Sequence, residues 1–285
     1  MPHDEFIRVG DTDLCAQTFG RRTDPAVLLI GGASRSMDWW DVAFCERLAA
    51  ADRLVIRYDH RDTGASSWYQ PGCPQYTFAD LAADAIGVLD AYEVDRAHVI
   101  GLSMGGQLAQ IAALANPERV ASLTLIATSP QPRAPDLPPT TERLQAHFDI
   151  AAAPDWTDRS AVIDYIVAQD RAYTATWTAD EETVTRDRAA LVVDRSACVE
   201  ASHTNHYAMR GHPRWRDQLA GLTMPALVVH GTHDPLFPLE HGLALAAEIP
   251  DATLLRLLGI GHELPQRSWD TVIPAVIHHT SRKDR

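Results

Sequence analysis

Six short apolar runs recur along the chain, at 26–32 (AVLLIGG), 53–60 (RLVIRYDH), 96–103 (RAHVIGLS), 122–128 (SLTLIAT), 225–231 (PALVVHG) and 252–259 (ATLLRLLG). Most are continuous rather than alternating, the pattern of strands in a parallel sheet covered on both faces. Ahead of them, FIRVGDTDLCAQTFG (6–20) alternates apolar and polar residues about a Gly-Asp-Thr-Asp turn and predicts a β-hairpin. Between the runs the period changes. Residues 77–92 set Phe78, Leu81, Ala85, Leu89 and Tyr92 on one helical stripe, with Thr77 and Asp80 as a candidate capping box. A second helix is predicted over 105–117, stopped by Asn116-Pro117. Alternating strands and helices imply an open, mostly parallel sheet with right-handed crossovers.

The rhythm breaks near Pro130. SPQPRAPDLPP (129–139) is a proline-rich exit, and helical stretches follow, among them 159–172 and 179–194, the latter with Thr178 and Glu181 as a capping box. Strands resume only at 225. The expected organisation is an α/β core of 1–129 and 216–285, with 130–215 inserted as a helical cap over the carboxyl edge of the sheet.

One apolar run ends on a hydroxyl. In HVIGLSMGGQ (98–107), Gly101 and Gly105 flank Ser103 where a strand turns into a helix. Small neighbours let such a turn close, lifting the serine clear of the sheet with the next amides aimed at the same space; this is the G-x-S-x-G nucleophile elbow. A serine nucleophile needs a base, and the base an orienting acid. With the order Ser, acid, His, the strand exits at 228–238 (VVHGTHDPLFP) and 257–265 (LLGIGHELP) supply Asp234 and His262. His230, His233 and His241 are rival histidines that do not follow the last strand, and Asp136 is the alternative acid. The oxyanion hole needs two amides. Met104 offers one, and the loop after the first parallel strand offers the other, at Gly32 or, one residue on, Ala33.

Composition narrows the partners. The 285 residues are 46% hydrophobic and 22% charged, with a formal net charge of −13. A field of that sign repels nucleic acid. MPHDEFIRVG reads as neither signal peptide nor anchor, and no apolar stretch is long enough to span a bilayer. Cys15, Cys45, Cys73 and Cys198 lack CxxC spacing and read as free thiols of a reducing compartment, so a cytoplasmic protein is expected. His203 and His206 are three apart but lack a third ligand. They are read as a solvent- or pocket-facing pair, and no metal site is expected. Asp59, Arg61 and Asp62 in DHRDTG are expected to form a salt-bridged loop bracing the site. Trp39, just after the oxyanion loop, and Trp177 and Tyr207 in the insertion are candidates to face substrate.

RYDHRDTGAS (57–66), GLSMGG, HGTHDP and GIGHELP fall in the order and spacing of the α/β-hydrolase superfamily, which the chain resembles from end to end. Within it, VIRYDHRDTG with GLSMGG most resembles the aclacinomycin methylesterase group, which hydrolyses a methyl ester on an anthracycline polyketide. Gly-Gly replaces the frequent His-Gly of the oxyanion loop, as in that group. The resemblance implies the Ser103, Asp234, His262 triad, an α/β-hydrolase fold and no cofactor. The expected function is hydrolysis of a small-molecule carboxylic ester, a methyl ester or a bulky, hydrophobic polyketide-type ester. Perhydrolysis (cofactor-free haloperoxidase activity) and amide hydrolysis are alternatives on the same triad, and a non-catalytic binding protein is the alternative from another class.

Overall fold

The alternation near the N-terminus forms a hairpin. In the computed structural model, which describes residues 3–131, 134–211 and 214–281, β1 (Glu5–Val9) and β2 (Thr12–Phe19) pair antiparallel. Gly10, with φ 56°, opens the two-residue turn between them. The continuous apolar runs become β3 (Ala26–Ile30), β4 (Leu54–Tyr58), β5 (Ala97–Leu102), β6 (Val120–Ile126), β7 (Ala226–Gly231) and β8 (Ala252–Leu257). The sheet order is β1-β2-β4-β3-β5-β6-β7-β8; β2 joins β4 antiparallel, and every later pairing is parallel. β8 is an edge strand, which is why its run is only partly buried.

Helices cover both faces, so both registers of each central strand are apolar. Leu28, Ile30, Ile56, Val99, Leu125 and Val228 point to the face packed by α2 (Phe78–Ala91), α3 (Met104–Ala115) and α8 (Leu239–Glu248). Val27, Leu29, Val55, Ile100 and Val229 point to the other, under α1 (Val42–Ala49) and α9 (Trp269–Thr280). The capping box at Thr77 and Asp80 forms, with the Asp80 amide on Thr77 Oγ1 and the Thr77 amide on Asp80 Oδ2.

Between β6 and β7 lie α4 (Glu142–Ile150), α5 (Arg159–Tyr173), α6 (Ala179–Arg195) and α7 (Val199–Ala208). Thr178 and Glu181 cap α6 reciprocally. Val162, Ile163, Ile166 and Val167 of α5 and Ala189 of α6 make a small apolar core separate from the sheet. Pro132 and Arg133, within the proline-rich exit, lie outside the described residues. The inserted helices rest on strand-exit loops: the amide of Thr141 bonds Pro235 O, that of Ala197 bonds Gly64 O, and that of His262 bonds Tyr173 O. Trp215, which the strand rhythm assigns to the insertion, instead packs in the sheet core. It stacks on Phe78 at 6.0 Å and donates its indole N–H to Gln110.

The loop after β4 is tied to the sheet's cover by a bidentate ion pair. Arg61 Nε and Nη2 reach Asp84 of α2 at 2.7 and 2.8 Å, and both residues are buried. Removing one partner strands a buried charge, whereas replacing both with apolar residues removes the penalty. Arg61→Met is expected to lower stability by about 3–5 kcal/mol, and adding Asp84→Leu to recover most of that loss. Urea denaturation of the two variants checks this; a double variant as unstable as the single one contradicts it.

Candidate active site

β5 ends at Leu102 and α3 begins at Met104, so the whole reversal falls on Ser103. Its φ of 55° and ψ of −119° are rarely adopted by a residue with a side chain, at a cost of about 1–3 kcal/mol. Two glycines make the turn possible. A Cβ on Gly101 would lie 2.2 Å from Gly105 O, and one on Gly105 would lie 2.2 Å from Ile30 O. The first turn of α3 is thereby pressed against the end of β3. Gly32 follows two residues after that strand, and a Cβ there would be 3.4 Å from Ser103 Cβ. Met104 supplies the first amide of α3, which has no acceptor within its own helix. The two candidate oxyanion donors thus flank the serine, at the positive end of the helix dipole.

The other two candidates close on the same point. His262 Nε2 is 2.9 Å from Ser103 Oγ, and His262 Nδ1 is 2.8 Å from Asp234 Oδ2. Asp234 Oδ1 accepts the amides of Leu236 and Phe237, both at 2.9 Å. Burial pushes the Asp234 carboxyl up, but the charge and hydrogen bond of His262, with His230 and the Phe237 amide, hold it below the usual carboxylate range. The imidazole of His262 is packed between Tyr173 of α5 and Phe237, with ring centroids at 5.5 and 5.6 Å.

The rivals have other partners. Asp136 is exposed and gripped by Arg216 at 2.6 and 2.8 Å. His230 Nε2 lies 2.7 Å from Phe237 O and 3.5 Å from Asp234, behind the acid rather than in front of Ser103. His241 sits between Ser129 Oγ and Pro138 O, and His233 against Thr232 Oγ1.

The DHRDTG loop braces the site through more bonds than its charges foretell. Asp59, fully buried, accepts the Met37 amide at 2.7 Å and the Ala65 amide at 3.0 Å, and binds Arg195. His60 Nε2 donates to Gly31 O at 3.0 Å. Asp62 takes the Tyr76 hydroxyl, the Tyr69 amide and Asn205. His206 is buried, and His203 is half-buried. His203 lies between Trp156 and Tyr165, and His206 is buried against the loop that follows β3. Burial pushes His60 down to about 4 and His203 and His206 down to about 3, so all are neutral near neutral pH.

Of the candidates for substrate contact, Trp39 lies under the Arg35 guanidinium, 3.8 Å from its ring centroid, on the segment that follows β3. Tyr207 is 65% exposed on α7, with its hydroxyl in reach of Tyr173. Trp177 stands apart. Its indole N–H bonds Glu182, and its ring lines a cavity of about 490 Å³ with Arg143, His147 and Arg171, among whose lining residues none is Ser103, Asp234 or His262. Phe237 and Glu263 have no sequence signal beyond their place beside motif residues, and Tyr173 none beyond being an aromatic of the inserted stretch, because their contacts with His262 arise from packing.

A sequence profile of the alpha/beta hydrolase fold matches residues 25–265. Rhodomycin D methylesterase DauP of Streptomyces sp. (strain C5) is 31% identical, with 96% of this chain and 97% of that protein covered. Rhodomycin D methylesterase DnrP of Streptomyces peucetius is 30% identical over the same shares. Among solved structures, the esterase EaEST from Exiguobacterium antarcticum superposes with a TM-score of 0.80 at 20% identity, covering 98% of this chain and all of that one. The last likeness is one of fold.

Glu263 offers a test of the packing around His262. Burial pushes its carboxyl up to about 7, with the Asp234 charge acting in the same direction against the backbone amide of Gly261. Arg267 reaches its Oε1 at 3.1 Å but is shared with Glu181. From the ordinary value of 4.5 to about 7, the folded chain keeps a proton that the unfolded chain has lost, so this group's contribution to stability falls as pH rises through that window. Glu263→Gln is expected to gain stability over the wild type across the window and to hold a constant margin above it. Melting temperatures of the two proteins against pH check this; a margin independent of pH contradicts it.

Proposed function

The chain belongs to the α/β hydrolase fold family, and from that premise we propose that it is a cofactor-free serine hydrolase of carboxylic esters. The observation that carries this reading is the line of contacts Ser103 Oγ, His262 Nε2, His262 Nδ1, Asp234 Oδ2, with steps of 2.9 and 2.8 Å across the two hydrogen bonds.

In the proposed reaction Ser103 Oγ attacks the ester carbonyl while His262 Nε2 takes its proton. Asp234 keeps the Nδ1–H tautomer facing it and stabilises the imidazolium that forms. The amides of Gly32 and Met104 hold the oxyanion, and the α3 dipole acts in the same sense. The proton returns to the leaving alcohol, and the acyl group stays on Ser103. Water, activated by the same imidazole, then releases the acid. The chain itself supplies nucleophile, base and oxyanion donors, so this scheme calls on no cofactor.

For substrate we propose a methyl ester or a bulky, hydrophobic polyketide-type ester, on the likeness to the two rhodomycin D methylesterases. The inserted helices act as a cap that excludes water and shapes the pocket above Ser103. Trp39 and Tyr207 are proposed to meet substrate there. Among the described residues no helix is long and apolar enough to cross a membrane. The net charge of −13 argues against nucleic acid, and the unpaired thiols support a cytoplasmic setting.

Ser103→Ala is expected to lower kcat for p-nitrophenyl butyrate by about 10⁴-fold or more while melting near the wild type. Asp234→Asn is expected to fold and to lose activity on a similar scale, because an amide permits the wrong imidazole tautomer. Near-normal turnover by folded Ser103→Ala contradicts the mechanism. Tyr207→Ala is expected to change kcat/KM for bulky aromatic esters more than for p-nitrophenyl acetate; equal scaling of all esters contradicts a pocket role for α7.

A further inference from the structure

The loop after β3 carries a candidate oxyanion amide, yet much of what fixes its backbone lies far along the chain. Gly32 O accepts the Arg35 amide at 3.2 Å, closing a four-residue turn. Its third residue, Ser34, has φ 63°, a value that turns of this kind usually fill with glycine or asparagine. Such a turn has a flipped alternative in which its central peptide is reversed. The Ser34 amide belongs to that peptide, and it donates to His206 Nδ1 at 3.0 Å. A flipped peptide would present the Ala33 carbonyl to the same ring. His206 Nε2 lies 3.0 Å from Arg61 O. One nitrogen must accept and the other donate, so the imidazole is the neutral Nε2–H tautomer; its burial favours that state.

The far end of the loop is held in the same way. Met37 N–H bonds Asp59 Oδ1, and Asp59 is held by Arg195 Nη1 and Nη2 at 2.8 and 2.7 Å. Arg195 Nη2 also reaches Asp38 at 2.7 Å. His206 is on α7 and Arg195 ends α6, so both belong to the inserted helices.

We infer that His206 and Arg195 are positioning residues for the oxyanion loop, so that the inserted helices complete the catalytic geometry as well as covering it. This rests on the serine-hydrolase reading above. The hydrogen bonds of His206 and Arg195 go to other groups than Ser103, His262 and Asp234, so losing them leaves the triad assembled but the Gly32 amide misplaced. The effect falls on the transition state, where the oxyanion exists, and little on ground-state binding.

The test compares His206→Phe, which removes the acceptor for the Ser34 amide, with His206→Asn, whose Oδ1 takes the place of Nδ1. His206→Phe is expected to lower kcat for p-nitrophenyl butyrate by about 10²–10³-fold with KM changed by less than about threefold. It is expected to weaken a trifluoromethyl ketone, whose adduct carries an oxyanion, by a similar factor. His206→Asn is expected to restore most of both. Unchanged kcat in His206→Phe overturns the inference, as do equal losses in the Phe and Asn variants. If His206→Phe does not fold, ¹⁵N NMR of the wild-type imidazole decides: an unprotonated Nδ1 supports the inference and a protonated Nδ1 overturns it. Ser103→Ala in the same assay separates the two claims. An active Ser103→Ala removes the serine-hydrolase reading, whereas an inactive Ser103→Ala beside a normal His206→Phe removes only this inference.

Discussion

Helix α3 starts so close to the end of β3 that no side chain fits at the contact: a Cβ on Gly105 would lie 2.2 Å from Ile30 O. This approach puts the reversal of the chain on Ser103 and sets its backbone at φ 55°. It also brings the first amide of the helix and the loop that leaves β3 close to the serine. The strain at Ser103 is offset by what surrounds it. Its amide bonds Ile126 O at 2.9 Å, its carbonyl accepts Thr128 Oγ1 at 2.7 Å, and the helices on both faces hold β5 in the centre of the sheet.

Around that contact the protein buries several charged and polar groups that bind one another, while the Ser34 hydroxyl, the Trp39 and Trp40 indole N–H groups and His60 Nδ1 are buried without a hydrogen-bond partner. Asp59 is fully buried, and burial pushes its carboxyl up, opposed by Arg195 and by the Met37 amide. Such a pair adds little net stability over an apolar core, so its presence is better explained by geometry than by energy. It fixes where the 36–38 backbone runs. The histidines follow the same logic in neutral form: His60 holds Gly31 O and His206 holds Ser34 N–H. Each ties one peptide group of the loop to a segment distant in sequence, in addition to the turn the loop closes for itself between Gly32 and Arg35.

Local patterns carried the parts of this arrangement that local physics decides. Continuous apolar runs meant strands covered on both faces, and β3 to β7 are, while β8 at the sheet edge is only partly buried. Thr77 with Asp80 and Thr178 with Glu181 each made the capping box their spacing suggested. The glycines around Ser103 and the strand-exit positions of Asp234 and His262 could be read from the chain, and the structure brings these three side chains into one hydrogen-bonded line. Contacts between distant segments could not. His206 meets Ser34 across 172 positions and Arg195 meets Asp59 across 136, and nothing in either neighbourhood announces its partner. Trp215 reads as one more aromatic of the insertion until it is seen stacked on Phe78. Trp177 lines a cavity with Arg143 and Arg171, among whose lining residues none is Ser103, Asp234 or His262.

The central claim is that Ser103 becomes covalently acylated during ester hydrolysis. Rapid quenching of the protein with p-nitrophenyl butyrate, followed by peptide mass spectrometry, tests it most directly. The account predicts a single butyryl group on the peptide containing Ser103, formed as the first equivalent of p-nitrophenol is released. Steady hydrolysis with no acyl group on that peptide, or with the group on another residue, would contradict it.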